Sequence, residues 1–294
     1  MSVGKLYILY TVLLSGVLVL ISHQLTIKYN IYFGASFLAV SLIYPTISRF
    51  ARNLYWAEFL WYIPLLLGLM CLNYPGRRFI IYPLIFISIF IKCLCGYEFL
   101  SSILISEVMF IICDFIICKQ NRKQLFKTFA AVSAISLSAF AAALLIHAYM
   151  YGGSDGIFTG LSEIFREIVQ KRTYGSADNF EQILSESLNS SVFTVLAKYF
   201  TFEILGKVIS IVTVVTAGLV LYKVINKQEE YIMQAVLFVL SLLSPLSWLI
   251  LAKSHSYVHI SLNISLFALG YIQVCGYILV KRIADILNKK TLRP

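Results

Sequence analysis

The side chains able to do chemistry in this sequence are few, and they cluster. Residues 248–263 read WLILAKSHSYVHISLN. Lys253 supplies a cation, His255 and His259 stand four residues apart, and Tyr257 and the serines add hydroxyls. On a helix the two histidines share a face. An ammonium and two imidazoles beside hydroxyls make a seat for a phosphate group. The same spacing can chelate zinc, but a metalloprotease arrangement also needs a glutamate beside the first histidine and a third ligand. Neither is evident, so no metal ligand and no cofactor is assigned, although the histidine pair leaves a divalent ion open. Hydrogen bonding inside a bundle, or a place at the water boundary, competes with the phosphate role.

Arg49 and Arg52 form a second cationic pair, directly before Asn53, Leu54, Tyr55 and Trp56. They either snorkel to an interface beside an aromatic belt or face the same phosphate. Glu58 follows closely enough to pair with either arginine. Glu98, in CGYEF (95–99), is a candidate general base toward a sugar hydroxyl and equally a counter-charge for Lys92. Glu107 and Asp114 lie deeper in the same apolar run, where acids are functional candidates by default. No partner is evident for either. His147 reads as the cap of its span and His23 as bundle-facing.

These groups are embedded in a chain that is 60% hydrophobic and only 13% charged. That composition excludes an ordinary soluble domain and predicts a polytopic membrane protein. A span needs about 20 apolar residues, which predicts nine, near 6–26, 31–48, 57–74, 79–95, 99–118, 125–150, 203–224, 231–251 and 258–280. Such uniformly apolar runs suit helices rather than barrel strands, so the fold class is all-α. Residues 1–21 read as the first span, since no small-x-small cleavage site follows. The six cysteines lie in or beside apolar runs and argue against a disulfide framework.

The net charge of +10 comes largely from residues at the ends of apolar runs. It points to topology and anionic lipid headgroups, with no nucleic acid as partner. Lys119, Arg122, Lys123 and Lys127 form the strongest short-loop cluster, and the C-terminal tail carries Lys281, Arg282, Lys289, Lys290 and Arg293. The positive-inside rule places both in the cytoplasm, together with Arg77, Arg78, Lys223 and Lys227. Counting back puts the N-terminus outside.

Four polar segments then share the outer face: 48–59, 92–99, 151–202 and 253–259. Polar groups gathered at one membrane surface suggest a water-filled cavity or a bound headgroup. The organisation expected is a bundle over 1–150, an outer loop over 151–202, and a second bundle with a basic tail over 203–294. Within the loop, 161–169 alternates an apolar stripe with Glu163, Arg166 and Glu167, the pattern of an interfacial helix. Residues 180–199 repeat it more weakly, after a turn at 174–179. This pair either covers the outer cavity or rests on headgroups. No P-loop, dinucleotide fingerprint or nucleophile elbow is present.

Three segments, 52–64 (RNLYWAEFLWYIP), 95–102 (CGYEFLSS) and 244–259 (SPLSWLILAKSHSYVH), together resemble a group of bacterial inner-membrane proteins similar to the GT-C class of glycosyltransferases. The resemblance runs from about residue 31 to the C-terminus. It implies a multi-pass inner-membrane enzyme, C-terminus cytoplasmic, that takes a sugar from a polyprenyl-phosphate donor on the outer face. The acceptor it implies is a polysaccharide or glycolipid, with membrane lipids as neighbours. Carried over residue by residue, it marks Asn53, Tyr55, Trp56, Tyr97 and Tyr257 for substrate and Glu58 and Glu98 for catalysis. It adds weight to Lys253, His255 and His259 at the phosphate, which Arg49 and Arg52 are placed to share. GT-C enzymes place a catalytic acid near the chain start, whereas no Asp or Glu precedes Glu58 here. That departure predicts a missing front portion and leaves an inactive remnant as an alternative. A lipid-linked-sugar flippase and a polysaccharide polymerase or acyltransferase are the others, the flippase disfavoured by the absence of a clear internal repeat.

Overall fold

The computed structural model describes residues 2–175, 182–225 and 229–291. Most of the turn at 174–179, Phe180, Lys227 and Arg293 lie outside them. Helices α1 (Val3–Lys28) and α2 (Ile31–Ile43) form a hairpin stitched by Ser22, whose hydroxyl donates to the Gly34 carbonyl at 2.8 Å. Pro45 disfavours helical backbone at the residue before it. Tyr44 is accordingly extended, and the chain restarts as α3 (Pro45–Phe50). A turn over 51–58 leads into α4 (Phe59–Asn73), α5 (Arg78–Leu94), α6 (Leu100–Ile117) and α7 (Arg122–Gly152).

The loop segment folds as α8 (Ile157–Phe165), wider π-helical turns over Arg166–Tyr174, α9 (Gln182–Asn189) and α10 (Val192–Thr201). Then come α11 (Glu203–Ile225), α12 (Glu229–Leu251), α13 (Lys253–Val258) and α14 (Ile260–Asn263). A 3-10 turn, Ile264–Ala268, precedes α15 (Tyr271–Thr291). The described residues contain no strand, as an all-α fold requires.

By length and composition five helices can cross a membrane: α1, α6, α7, α11 and α12. A bent pair, Ile260–Ala268 with Tyr271–Asn288 at 45°, makes a sixth. Three of the nine expected spans fall on α2, α4 and α5, whose 13, 15 and 17 residues stop short of the usual length. The run at 258–280 is likewise a broken element rather than one helix.

At that break the backbone is satisfied by side chains, the condition for irregular structure at membrane depth. Tyr44 Oη donates to the Ile264 carbonyl at 3.3 Å and Tyr62 Oη to the Ala268 carbonyl at 3.2 Å. Gln273 Nε2 also donates to the Ala268 carbonyl, at 2.5 Å, while its Oε1 accepts from the Gly270 amide.

Helix α6 is central, packing on α4, α7 and α12. Ser102 and Ser244 hydroxyls each donate to the other's carbonyl, at 2.7 and 2.9 Å, which locks α6 to α12. Such interhelical bonds contribute about 0.6 kcal/mol each. Gly68 lets α4 approach so closely that a Cβ there would meet the Glu107 carbonyl oxygen. The two deep acids both have partners that spacing could not reveal: Ser136 donates to Glu107 at 2.8 Å, and Lys28 pairs with Asp114 at 2.5 Å. His23 is exposed, not bundle-facing; its neighbour Gln24 takes the inward place and binds Asn73.

The Lys28–Asp114 pair and the Gln24–Asn73 contact mark one end of the bundle, which also carries Arg77, Arg78 and the start of α7. The turns 51–58 and 95–99, the segments 157–175 and 182–201, and α13 meet at the other end.

Candidate functional site

At this second end lies a cavity of about 700 Å³. Arg49 of α3, Tyr55 and Trp56 of the following turn, Glu98, His255 and His259 all line it. Ile183 and Leu184 of α9 and Glu167 of the π-helical turns form its outer wall, so the loop segment covers the cavity.

Each wall is held by local chemistry. Asn53 Oδ1 accepts from the Tyr55 and Trp56 amides at 2.9 and 3.0 Å, a side-chain turn that presents both aromatics. Ala57 closes that turn at φ 45°. On the facing turn Gly96 has φ 138°, and a Cβ there would sit 2.3 Å from Glu98 Oε2. Glycine is therefore what lets the Glu98 carboxylate fold back over its own turn. Lys92 Nζ donates to the Gly96 carbonyl at 2.7 Å and lies in the field of Glu98, which joins the predicted counter-charge to the turn. Phe99 follows at φ 67°. Left-handed backbone at Ala57 and Phe99 costs about 1–3 kcal/mol each, and both strained residues flank the cavity.

The histidine rings lie 4.6 Å apart, centre to centre. His255 is held edge-on by Trp248 and Phe99, and its Nδ1 is 3.3 Å from the Asn263 amide nitrogen. With that amide as donor, the neutral ring keeps its proton on Nε2. Among the described residues no three His, Cys, Asp or Glu side chains converge as a metal site.

No family model, no curated protein and no solved structure matches this chain. Function is therefore argued from the geometry of the cavity.

Several residues singled out in the sequence do not line this cavity. Arg52 is exposed, and Asn53 serves its own turn. Tyr257 lies beneath Lys198, whose Nζ is 3.2 Å from the ring centre. Tyr97 Oη is 2.6 Å from His147 Nδ1. Burial pushes the Tyr97 phenol up to about 12, so it keeps its proton at neutral pH beside the imidazole.

Lys253 is buried and ties down the cover: its Nζ donates to the Leu188 and Ser190 carbonyls at 2.6 and 2.7 Å. Burial also pulls its ammonium below the ordinary 10.5. Ser254 bonds Ser187, and the Ser256 carbonyl accepts from Tyr199. The polar run in 253–259 thus has two jobs. Lys253, Ser254 and Ser256 rivet the cover, while His255 and His259 line the space beneath it.

Glu58 is buried outside the cavity lining, unpaired with either arginine, and both carboxyl oxygens lack a hydrogen-bond partner. An unmatched buried polar group costs about 1–3 kcal/mol. Glu58→Met is therefore expected to raise the melting temperature of the purified protein by a few degrees. An unchanged or lower value shows that the carboxyl is satisfied. Sequence reasoning missed Glu167, Ile183 and Leu184 as cavity residues. Their signal was the amphipathic pattern of the loop, which fixes a helix face but not what lies beneath it.

Proposed function

We propose that this chain is a glycosyltransferase of a bacterial inner membrane. In this reading it transfers a sugar from a polyprenyl-phosphate donor to a surface polysaccharide or glycolipid, with the cavity on the outer face. The observation that carries the reading is the convergence of Arg49, Tyr55, Trp56, Glu98, His255 and His259 on one covered cavity. The basic residues at the opposite end of the bundle support a cytoplasmic placement of that end and of the C-terminus.

The roles follow from chemistry. Arg49 and the histidines stabilise charge as it develops on the departing phosphate, the step at which such donors act most strongly. Tyr55 and Trp56 offer flat apolar faces and a polar edge to the sugar. Glu98 takes the proton of the attacking hydroxyl. The anomeric carbon–oxygen bond to phosphate breaks, a bond to the acceptor oxygen forms, and the lipid leaves as its phosphate. Glu98 replaces Glu58 as the base in this scheme, because Glu58 has no access to the cavity. Lys253 belongs to the cover rather than to the phosphate.

Complementation tests the reading. Cells lacking the chromosomal copy receive wild type, Arg49→Gln or His255→Ala at matched protein level, and their surface glycans are profiled by mass spectrometry. A sugar lost on deletion, restored by wild type and not restored by either variant is the expected outcome. A deletion that leaves the glycans unchanged rejects the transferase.

A further inference from the structure

Helices α6 and α7 are joined by a short turn at the end of the bundle away from the covered cavity, and a small cavity of about 230 Å³ lies between them there. Its lining is Ile112 and Phe115 of α6 with Phe126 and Phe129 of α7, without a polar side chain. Ile112 and Phe129 rest on the buried cluster of Ile81, Ile85 and Val132, which fixes the inner wall. The outer wall is uncovered, with Phe126 56% exposed.

Four exposed cations border that opening. Lys119 lies in the turn, and Arg122, Lys123 and Lys127 follow in the first two turns of α7. Arg122 folds back over the Phe115 ring, 5.9 Å from its centre, and donates to the Ile116 carbonyl at 3.2 Å. That contact sets a cation at the mouth of the apolar cavity. Helix α7 contains no Asp or Glu, and the last acid before it, Asp114, is taken by Lys28. Among the described residues none of the four cations is in an ion pair.

An aromatic cavity with an uncompensated cationic rim is complementary to a molecule that is anionic at one end and hydrocarbon at the other. Two other occupants fit less well. A second copy of the chain, docked two-fold, sets the same cations against each other. A soluble acidic peptide answers the charges and leaves the cavity unfilled.

We propose that an anionic phospholipid binds at the α6–α7 turn, one acyl chain entering between Phe115 and Phe126 and its phosphate held by Lys119, Arg122 and Lys123. Lys127, one turn further along α7, adds to the field at the headgroup. The leaflet is the one that meets this end of the bundle, the cytoplasmic one by the positive-inside rule. Clusters of Lys and Arg attract anionic headgroups wherever they border a membrane. The aromatic cavity beneath this cluster is what makes it a place for one lipid rather than a diffuse field. The proposal stands apart from the transferase reading, which concerns the opposite end.

The test uses the full chain in phosphatidylcholine nanodiscs doped with phosphatidylglycerol that carries a diazirine on an acyl chain, cross-linked peptides being mapped by mass spectrometry. Labels are expected to concentrate within 112–129 and to be suppressed by excess unlabelled phosphatidylglycerol. A phosphatidylcholine probe with the same diazirine should label 112–129 no more than the exposed Ile211 and Val214 of α11. Lys119→Gln with Lys123→Gln should weaken labelling by about fivefold per charge removed, with labels on α11 unchanged, whereas arginine at both positions should preserve it. Phe126→Ala, a change at an exposed position, removes one wall of the cavity and should lower labelling several-fold with every lysine in place.

Equal labelling of 112–129 by both probes overturns the proposal and leaves a boundary layer of lipid. Labelling unchanged in the glutamine pair, or in Phe126→Ala, likewise overturns it by removing the cations or the cavity from the site. Binding of a soluble polyglutamate peptide by wild type and not by the glutamine pair, without phosphatidylglycerol labels at the turn, assigns the cations to a protein partner instead.

Discussion

Glu98→Gln is expected to slow sugar transfer by about 10²–10⁴-fold, the range over which a positioned general base acts, with little change in melting temperature. Glutamine has the same shape, and the room that Gly96 leaves for the side chain is unaltered. Lys92 keeps its bond to the Gly96 carbonyl, so loss of the carboxylate does not leave that ammonium without an acceptor. What the substitution removes is the ability to accept a proton. Single-turnover transfer in nanodiscs, followed across pH, distinguishes this from a packing effect. The wild-type rate should fall on the acid side as the carboxylate protonates, and the residual rate of the variant should not. Retained transfer at matched protein level removes Glu98 from the reaction. Gly96→Ala offers a second route to the same residue, since its Cβ displaces the carboxylate without changing its chemistry.

Lys253→Met is expected to release the cover. The Leu188 and Ser190 carbonyls at the end of α9 both lose their donor; the buried Leu188 acceptor left unmatched costs about 1–3 kcal/mol, and the half-buried Ser190 acceptor costs less because water can reach it. The Ser187–Ser254 and Tyr199–Ser256 bonds remain, so the change is local rather than global. Hydrogen exchange should accelerate over 182–201 while α6 and α12 keep their protection. Labelling of an introduced Leu188→Cys, a buried position on the same helix, should also rise. Unchanged exchange over the cover shows that the remaining bonds hold it without the ammonium. If instead Lys253→Met abolishes transfer with the cover still protected, the lysine acts on substrate after all.

Much of this was legible in the sequence, and where it was not the reason is physical. The runs that became α1, α6, α7, α11 and α12 are long enough for hydropathy to identify them. The run at 31–48 was not a single helix because Tyr44 is extended before Pro45, whereas Pro64, Pro83 and Pro245 stay inside their helices, so a proline alone does not mark which run breaks. The run at 258–280 concealed a break whose carbonyls are met by Tyr44, Tyr62 and Gln273. Residues of all four polar segments line the first cavity, and that grouping follows from the spacing of the apolar runs between them. The direction of each side chain within a segment does not. Lys253 and His255 are two residues apart on a short helix and face different neighbours, one the cover and one the cavity. Composition marks both as polar and cannot say which carbonyls or ligands complete them.

The side-chain donors at the break also bear on the order in which the chain is built. Tyr44 and Tyr62 precede Ile264 and Ala268 by some two hundred residues, so during synthesis they are made long before the carbonyls they will satisfy. N-terminal segments settle first as a chain emerges. The unwound stretch that follows the histidines then arrives at a bundle already furnished with its hydrogen-bond donors. A permuted chain that began with α13 would have Gln273 at hand for the Ala268 carbonyl but would hold the Ile264 carbonyl without its donor until Tyr44 appeared.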